Sequence, residues 1–319
     1  MTTNPNNLAF VFPGQGSQSV GMLAALSSES RVIRATFDEA SKVLGYDLWQ
    51  LVAEGPADEL NETERTQPAM LAAGIACWRL WQERQGAIPG VVTGHSLGEF
   101  TALSAAGAID FATCVDLVQL RGKSMQEAVP VGAGSMAALL GLEDADVVAA
   151  CAEAAGGSVV EAVNFNAPGQ VVIAGEKAAV LRAIAVAKSR GAKKAIELPV
   201  SVPSHSSLMS AAGQRLGEKL AGIEIRVPRI RYVSAVDARE HDDPDDIRAV
   251  LVRQLSSPVR WTATVAALTA GGGVSRIVEC GPGGVLAGLV KRIERRRDTR
   301  IFSLTDPDSF AAAAADINV

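Results

Sequence analysis

Three short, largely apolar stretches punctuate the chain, and each runs into glycine. Leu8-Ala9-Phe10-Val11-Phe12 stops at Pro13-Gly14. Gly90-Val91-Val92-Thr93 leads into Gly94-His95-Ser96-Leu97-Gly98, and Arg276-Ile277-Val278-Glu279-Cys280 enters Gly281-Pro282-Gly283-Gly284. A strand with little polar alternation is one covered on both faces, as in a parallel sheet flanked by helices. Helical patterns follow the second and third stretches, so a strand, glycine turn and helix recur as a unit. From about Val32 to Gln85 the periodicity is helical, with interruptions predicted near Gly55-Pro56 and Gln67-Pro68. The pattern predicts an α/β fold with a parallel sheet and helices on both of its faces.

Between these units the rhythm changes. Ser135 to Gly141 is strand-like and Glu143 to Ala155 helical. Ser158 to Val163 and Gln170 to Gly175 read as a hairpin around Asn166-Ala167-Pro168-Gly169. Glu176 to Arg190 is helical and Lys194 to Val200 strand-like. The order β-α-β-β-α-β is that of a ferredoxin-like unit. We therefore expect a small inserted subdomain at residues 128–200 and a large subdomain made of 1–127 and 201–319, with the binding cleft between them.

Composition narrows the function classes. A chain of 319 residues, 48% hydrophobic and 20% charged, is long enough to bury a substantial core. Thirty Lys and Arg against 35 Asp and Glu give a net charge of −5, which argues against general nucleic-acid binding. The first residues carry no charged segment ahead of an apolar one, and no apolar stretch is long enough to span a bilayer, so a cytoplasmic protein with no membrane association is expected. Cys77, Cys114, Cys151 and Cys280 are scattered among apolar residues without a metal-binding spacing, and are read as reduced core residues.

The chemical signal is Gly94-His95-Ser96-Leu97-Gly98, a Gly-x-Ser-x-Gly sequence at a strand-to-helix junction. In a nucleophile elbow the glycines permit a tight turn and close helix packing, which leaves the serine hydroxyl exposed at the end of the sheet. A serine needs a base, and the chain has three histidines. His95 adjoins Ser96 and should point away from its hydroxyl, leaving it a supporting place in the substrate site. His241 lies in the acidic run Arg239 to Asp246, read as a solvated loop. That leaves His205, where a Pro-bounded extended segment meets the start of a helix. The carboxylates between Ser96 and His205 (Glu143, Asp144, Asp146, Glu153, Glu161, Glu176 and Glu197) fall in or beside the inserted unit, which weakens the reading as an ordinary esterase. Phe12-Pro13-Gly14-Gln15-Gly16-Ser17-Gln18 lacks the third glycine and the lysine of nucleotide loops. Its better use is an oxyanion hole, with the amides of Gln15 and Leu97 each worth on the order of 3 kcal/mol to the transition state.

Several motifs in order, Pro13-Gly14-Gln15-Gly16-Ser17-Gln18, Gly94-His95-Ser96-Leu97-Gly98-Glu99, Arg121-Gly122-Lys123-Ser124-Met125-Gln126, Asn164-Phe165-Asn166-Ala167-Pro168-Gly169-Gln170, Val202-Pro203-Ser204-His205 and Val252-Arg253-Gln254-Leu255, resemble the malonyl-CoA:acyl carrier protein transacylases of type II fatty-acid synthesis over nearly the whole chain. The resemblance implies Ser96 as nucleophile, His205 as base and Gln254 as the group whose side-chain or main-chain carbonyl holds the imidazole. It also implies that Arg121 binds the terminal carboxylate that distinguishes malonyl from acetyl. A planar guanidinium suits that task, at about 1.5–3 kcal/mol per charge-assisted hydrogen bond.

The implied reaction is ping-pong transfer from malonyl-CoA to the phosphopantetheine thiol of holo acyl carrier protein, without metal or bound cofactor, by a monomer. Two basic stretches, Lys188-Ser189-Arg190 with Lys193 and Lys194, and Lys291 to Arg297 beginning with Lys291 and Arg292, are candidates for docking an acidic carrier. Where the family pattern has Asn-Asn before Val-Asp, this chain has Ser234-Ala235-Val236-Asp237. The Val202-Pro203-Ser204-His205 sequence fits the discrete malonyl enzymes and leaves tolerance of methylmalonyl open. Two rivals stand beside this reading: a serine esterase or thioesterase, and a non-catalytic module that binds carrier protein.

Overall fold

The computed structural model describes residues 7–200 and 202–318. Residues 1–6, on which the reading of the N-terminal segment rests, and Ser201, the expected subdomain boundary, lie outside the described residues.

The elements run β1 (Leu8–Phe12), α1 (Ala24–Glu29), α2 (Arg31–Leu44), α3 (Leu48–Glu54), α4 (Ala57–Leu60), α5 (Thr63–Glu83), β2 (Val91–Gly94), α6 (Gly98–Ala105) and α7 (Phe111–Glu127). Then come β3 (Gly134–Leu140), α8 (Asp144–Ala155), β4 (Val160–Ala167), β5 (Gln170–Glu176), α9 (Lys177–Ser189) and β6 (Lys194–Glu197). The chain closes with α10 (Ser210–Leu220), β7 (Arg231–Val233), α11 (Pro244–Arg253), α12 (Trp261–Thr269), β8 (Arg276–Glu279), α13 (Val285–Ile293), β9 (Arg300–Ser303) and α14 (Pro307–Ile317).

β7-β2-β1-β8-β9 form one sheet, and every pairing in it is parallel. The unbroken apolar run of β1 now has its reason. Leu8, Phe10 and Phe12 point into one core, where Phe10 meets Trp78 and Trp81 of α5 edge-on at 5.5 and 5.4 Å, while Ala9 and Val11 point into the core on the opposite face. The register pairs Phe12 with Gly94 and Val11 with Glu279. The glycine turns that follow these strands therefore gather at one end of the sheet, where parallel α/β sheets hold their ligands.

The second sheet is antiparallel, in the order β4-β5-β3-β6, which is the ferredoxin-like arrangement. Helices α8 and α9 cover one face through Ala137, Leu139, Val171 and Ile173; Met136, Val172 and Ala174 lie on the other. The edge of the antiparallel sheet is tied through main chain to the segment that precedes α12. The Phe165 amide donates to the Val259 carbonyl at 2.9 Å, and the Val259 amide donates to the Val163 carbonyl at 2.8 Å.

Some expectations require correction. The helical stretch breaks at Gly55-Pro56, but α5 runs through Pro68 without interruption. Residues 66–78 of this helix are all buried, so packing on every side outweighs the lost hydrogen bond of an internal proline, a cost of about 3 kcal/mol. The acidic run around His241 is only partly loop. Asp243 caps α11 by accepting from the amides of Asp245 and Asp246, with Pro244 at its first turn. β6 ends at Glu197, short of Val200, and β4 extends to Ala167. Strands β7 and β9, at the two edges of the parallel sheet, were not anticipated from the pattern.

Candidate active site

β2 ends at Gly94, α6 begins at Gly98, and the turn between them holds Ser96 at φ 53°. An L-residue is strained in this left-handed region, by about 1–2 kcal/mol. Close packing holds it there: a Cβ on Gly98 would lie 2.0 Å from the Phe12 carbonyl oxygen, and the His95 amide donates to that same oxygen at 3.0 Å. Only glycine lets α6 approach β1 so closely.

His205, 3% exposed, also sits in the left-handed region, at φ 67°. Its Nδ1 lies 2.8 Å from the Gln254 main-chain oxygen and its Nε2 2.7 Å from Ser96 Oγ. A carbonyl only accepts, so Nδ1 carries the proton, Nε2 presents its lone pair, and the Ser96 hydroxyl donates to it. Burial, and then the nearby Arg121 charge, push the His205 pKa down to about 3, against the opposing pull of the Gln254 carbonyl. The imidazole is therefore neutral over the physiological range.

The Gln254 main-chain carbonyl, not its side chain, is what His205 meets. The side-chain amide works elsewhere: Nε2 donates to the Ser96 carbonyl and to Glu99 Oε1, both at 2.9 Å, and Oε1 accepts from Arg121 Nη2 at 3.0 Å. Gln254 lies just past α11, opening a short 3₁₀ turn.

Arg121 sits within α7 and is 1% exposed. Nη2 also donates to Ser96 Oγ at 3.1 Å, and Nη1 donates to Gln67 Oε1 at 2.9 Å. Burial lowers its pKa to about 10, with Glu99 acting in the opposite direction, so the guanidinium stays charged. Its Nε is buried without a partner among the described residues.

Gln15, Leu97, Arg121, Ser96 and His205 all border one cavity of about 510 Å³. Neither the Gln15 nor the Leu97 amide donates to an acceptor among the described residues. Met136 and Asn164 of the antiparallel sheet form the far wall, together with Leu198 and Val200 just beyond β6. His95 points away from the Ser96 hydroxyl, as anticipated. Its Nε2 lies 2.8 Å from Asn166 Oδ1 on β4, and its ring meets Trp261 edge-on at 5.6 Å.

Sequence reading missed Glu99, Tyr232 and Gln67. Glu99 is wholly buried three residues beyond Ser96, and burial raises its pKa against hydrogen bonds from Tyr232, Gln254, Ser234 and the Ala235 amide. The signal was a charged residue set in the apolar first turn of α6. Ser234 and Ala235, the departure from the family pattern, thus face this carboxylate and not the cavity. His241 belongs elsewhere, paired with Asp237 Oδ1 at 3.1 Å.

Of the basic residues, Lys193, Lys194, Lys291 and Arg292 are all exposed. Lys193 packs along Gly141, whose amide donates to the Gly169 carbonyl, and Arg292 Nη1 donates to Gln170 Oε1 at 2.6 Å. Both stretches therefore reach the tip of the β4–β5 hairpin. All four cysteines are buried with free thiols. Among the described residues no helix is long and apolar enough to cross a membrane.

Likeness to known proteins extends over nearly the whole chain. The acyl transferase domain model matches residues 9–301. The malonyl CoA-acyl carrier protein transacylase of Escherichia coli K12 is 54% identical over 306 residues, spanning 96% of this chain and 98% of that protein. The crystal structure of malonyl-CoA:acyl carrier protein transacylase from Xanthomonas oryzae superposes with a TM-score of 0.95 at 54% identity, covering 98% of each chain. A malonyl-transacylase in complex with a type II PKS acyl-carrier protein superposes with a TM-score of 0.94 at 51% identity, covering 97% of this chain and 99% of that one. Likeness of this extent, along nearly the full length of both partners, settles the relationship: the chain belongs to the acyl transferase family, in its malonyl CoA-acyl carrier protein transacylase branch.

Proposed function

We propose that the protein transfers a malonyl group from malonyl-CoA to the phosphopantetheine thiol of a holo acyl carrier protein, through an ester on Ser96, and so supplies malonyl carrier for fatty-acid elongation. One observation carries the reading: the hydroxyl that hydrogen-bonds His205 at 2.7 Å also lies 3.1 Å from a buried, charged guanidinium. A nucleophile and a carboxylate receptor within one bond's reach suit an acyl group that ends in a carboxylate.

In the forward half-reaction Ser96 Oγ attacks the thioester carbonyl while His205 Nε2 takes its proton. The tetrahedral oxygen accepts from the Leu97 and Gln15 amides. Collapse expels coenzyme A as thiolate, which recovers the proton from His205. In the second half the carrier thiol gives its proton to His205 and attacks the ester, and Ser96 leaves as an alkoxide that is reprotonated by His205. Arg121 holds the malonyl carboxylate throughout, and His95 supports the turn beneath it. Ser96, His205 and the two thiols account for every proton and electron pair, so the reading requires no metal or resident cofactor.

Burial and the neutral carbonyl behind it leave the imidazole a weak base, suited to reactive thioesters more than to amides. Lys193, Lys194, Lys291 and Arg292 are the proposed docking residues for an acidic carrier, supported by their convergence on the β4–β5 tip. The division into a large part, 1–127 with 201–319, and a small part, 128–200, belongs to the same proposal, as do a monomeric state and a cytoplasmic location. The confinement of the antiparallel sheet to 134–197 supports the division.

Intact-protein mass spectrometry after brief mixing with malonyl-CoA tests the reaction. The expected result is a malonyl adduct on the native protein, absent from Ser96→Ala, that moves to holo carrier protein when it is added. Free malonate without carrier acylation would instead indicate an esterase, and no adduct at all a binding module. In competition, Arg121→Ala should lose preference for malonyl over acetyl by about tenfold or more; unchanged discrimination would remove Arg121 from the mechanism.

A further inference from the structure

We propose that Glu99 is a positioning residue of the acyl-transfer site: its carboxylate holds the Gln254 side-chain amide in the one orientation that turns Oε1 toward Arg121. It thereby ties the group that reads substrate charge to the residue whose main-chain carbonyl orients His205. The inference rests on the acyl-transfer reading above.

A carboxylate only accepts hydrogen bonds, so whichever edge of the Gln254 amide faces Glu99 must be its NH₂. One N–H donates to Glu99 Oε1 and the other to the Ser96 carbonyl, each at 2.9 Å. With both N–H groups committed, Oε1 is left facing Arg121 Nη2 at 3.0 Å. Turning the amide over would set its oxygen against two acceptors and its NH₂ against a guanidinium. The same residue receives His205 Nδ1 on its main-chain oxygen at 2.8 Å. Gln254 thus has one contact with each arm of the site, and Glu99 determines which way it faces.

Glu99 is itself held. Tyr232 Oη donates to its Oε2, and the Ser234 hydroxyl and Ala235 amide also favour the ionised form. It sits in the first turn of α6, where a negative charge is favoured by the helix dipole. Burying a carboxylate is costly, and an apolar side chain of similar size would pack behind the serine with a smaller desolvation penalty. What an apolar residue cannot do is select the amide's orientation, or oppose the buried charge of Arg121.

The test is the ratio of second-order rate constants for acylation of Ser96 by malonyl-CoA and by acetyl-CoA, followed by intact-protein mass spectrometry with thermal unfolding as a folding control. Glu99→Gln, whose own amide can turn N–H toward Gln254, should lower the malonyl-to-acetyl ratio by about tenfold. Glu99→Asp keeps the charge but draws it back by about 1.5 Å, and should lower the ratio by about threefold; it also serves if the glutamine variant does not fold. A role in packing alone would slow both substrates equally, and a ratio within twofold of the native value in the folded variants would overturn the proposal. Native protein that forms no malonyl ester would overturn this inference and the acyl-transfer reading together.

Discussion

The units β2–turn–α6 and β8–turn–α13 lie on either side of β1 and share a plan: a short buried strand, a glycine turn in left-handed backbone, a helix, and a wholly buried glutamate at the junction. Only the first borders the cavity. In the β8 unit the glutamate comes before the turn, and Glu279 Oε2 accepts from the Ala287 amide at 2.8 Å, with the Leu286 and Val285 amides beside it. The start of α13 is thereby filled from within. In the β2 unit the glutamate comes after the turn and reaches sideways to Gln254 and Tyr232, and the Leu97 amide has no acceptor among the described residues, as its proposed oxyanion role requires. The amides of Gly98, Glu99 and Phe100 are met by turn carbonyls, so the position of one carboxylate separates a helix start capped by a side chain from one that leaves the Leu97 amide alone without an acceptor among the described residues.

The strongest way to break the comparison is through the glycines. Gly98→Ala places a Cβ 2.0 Å from the backbone oxygen of Phe12, which neither strand nor helix can accommodate, and should cost about 3 kcal/mol or more together with most acylation activity. Gly284→Ala, at φ 66° with Ser303 Oγ 3.9 Å from the added Cβ, should cost less, about 1–2 kcal/mol, and leave the rate of Ser96 acylation nearly intact. Chemical denaturation beside the mass-spectrometric assay separates the two; equal losses of activity would erase the distinction between the units.

A smaller effect sharpens it. Burial lifts the Glu279 pKa to about 7 against the pull of the α13 amides. A carboxyl raised in the folded state contributes stability that is present below its unfolded pKa and lost as pH rises through the folded one. Glu279→Gln should therefore be more stable than the native protein at pH 8, by about 1–3 kcal/mol, with the advantage fading toward pH 5. A constant difference across that range, read from urea midpoints, would place the Glu279 titration elsewhere.

The smallest expected change lies in the β2 unit's partner. With the His205 pKa near 3, acylation should fall by less than about twofold between pH 7 and 5.5, where an ordinary imidazole would lose about eightfold. The same depression makes His205 a source of acid sensitivity: stability it contributes above pH 6.5 is lost as pH falls toward 3, opposite in sign to Glu279. An acylation profile with a midpoint near 6.5 would show that the imidazole is solvated in the working protein.

What was legible from residues alone was local. The β1, β2 and β8 runs, the elbow and the β-α-β-β-α-β order each depend on contiguous residues, and Ser96 and His205 followed from a turn motif and a count of three histidines. Edge strands β7 and β9 span three and four residues, too few to show a period. Pro68 misled because the gain from burial around α5 is a property of the assembled core. Arg121 and Gln254 needed the family motifs, since nothing near either residue in sequence reports that it ends up buried against a serine more than twenty positions away. Glu99 was in plain view in the motif, but its partners lie 133 and 155 residues further on.

The paired main-chain bonds of Val259 with Val163 and Phe165 bear on traffic through the site. They stitch the edge of one sheet to the body carrying the other, so widening the cleft by a hinge would break backbone hydrogen bonds that water must replace. In the proposed reaction donor and acceptor thiols use this cleft in turn, and because its two sides are tied at Val259, each would meet the same walls there.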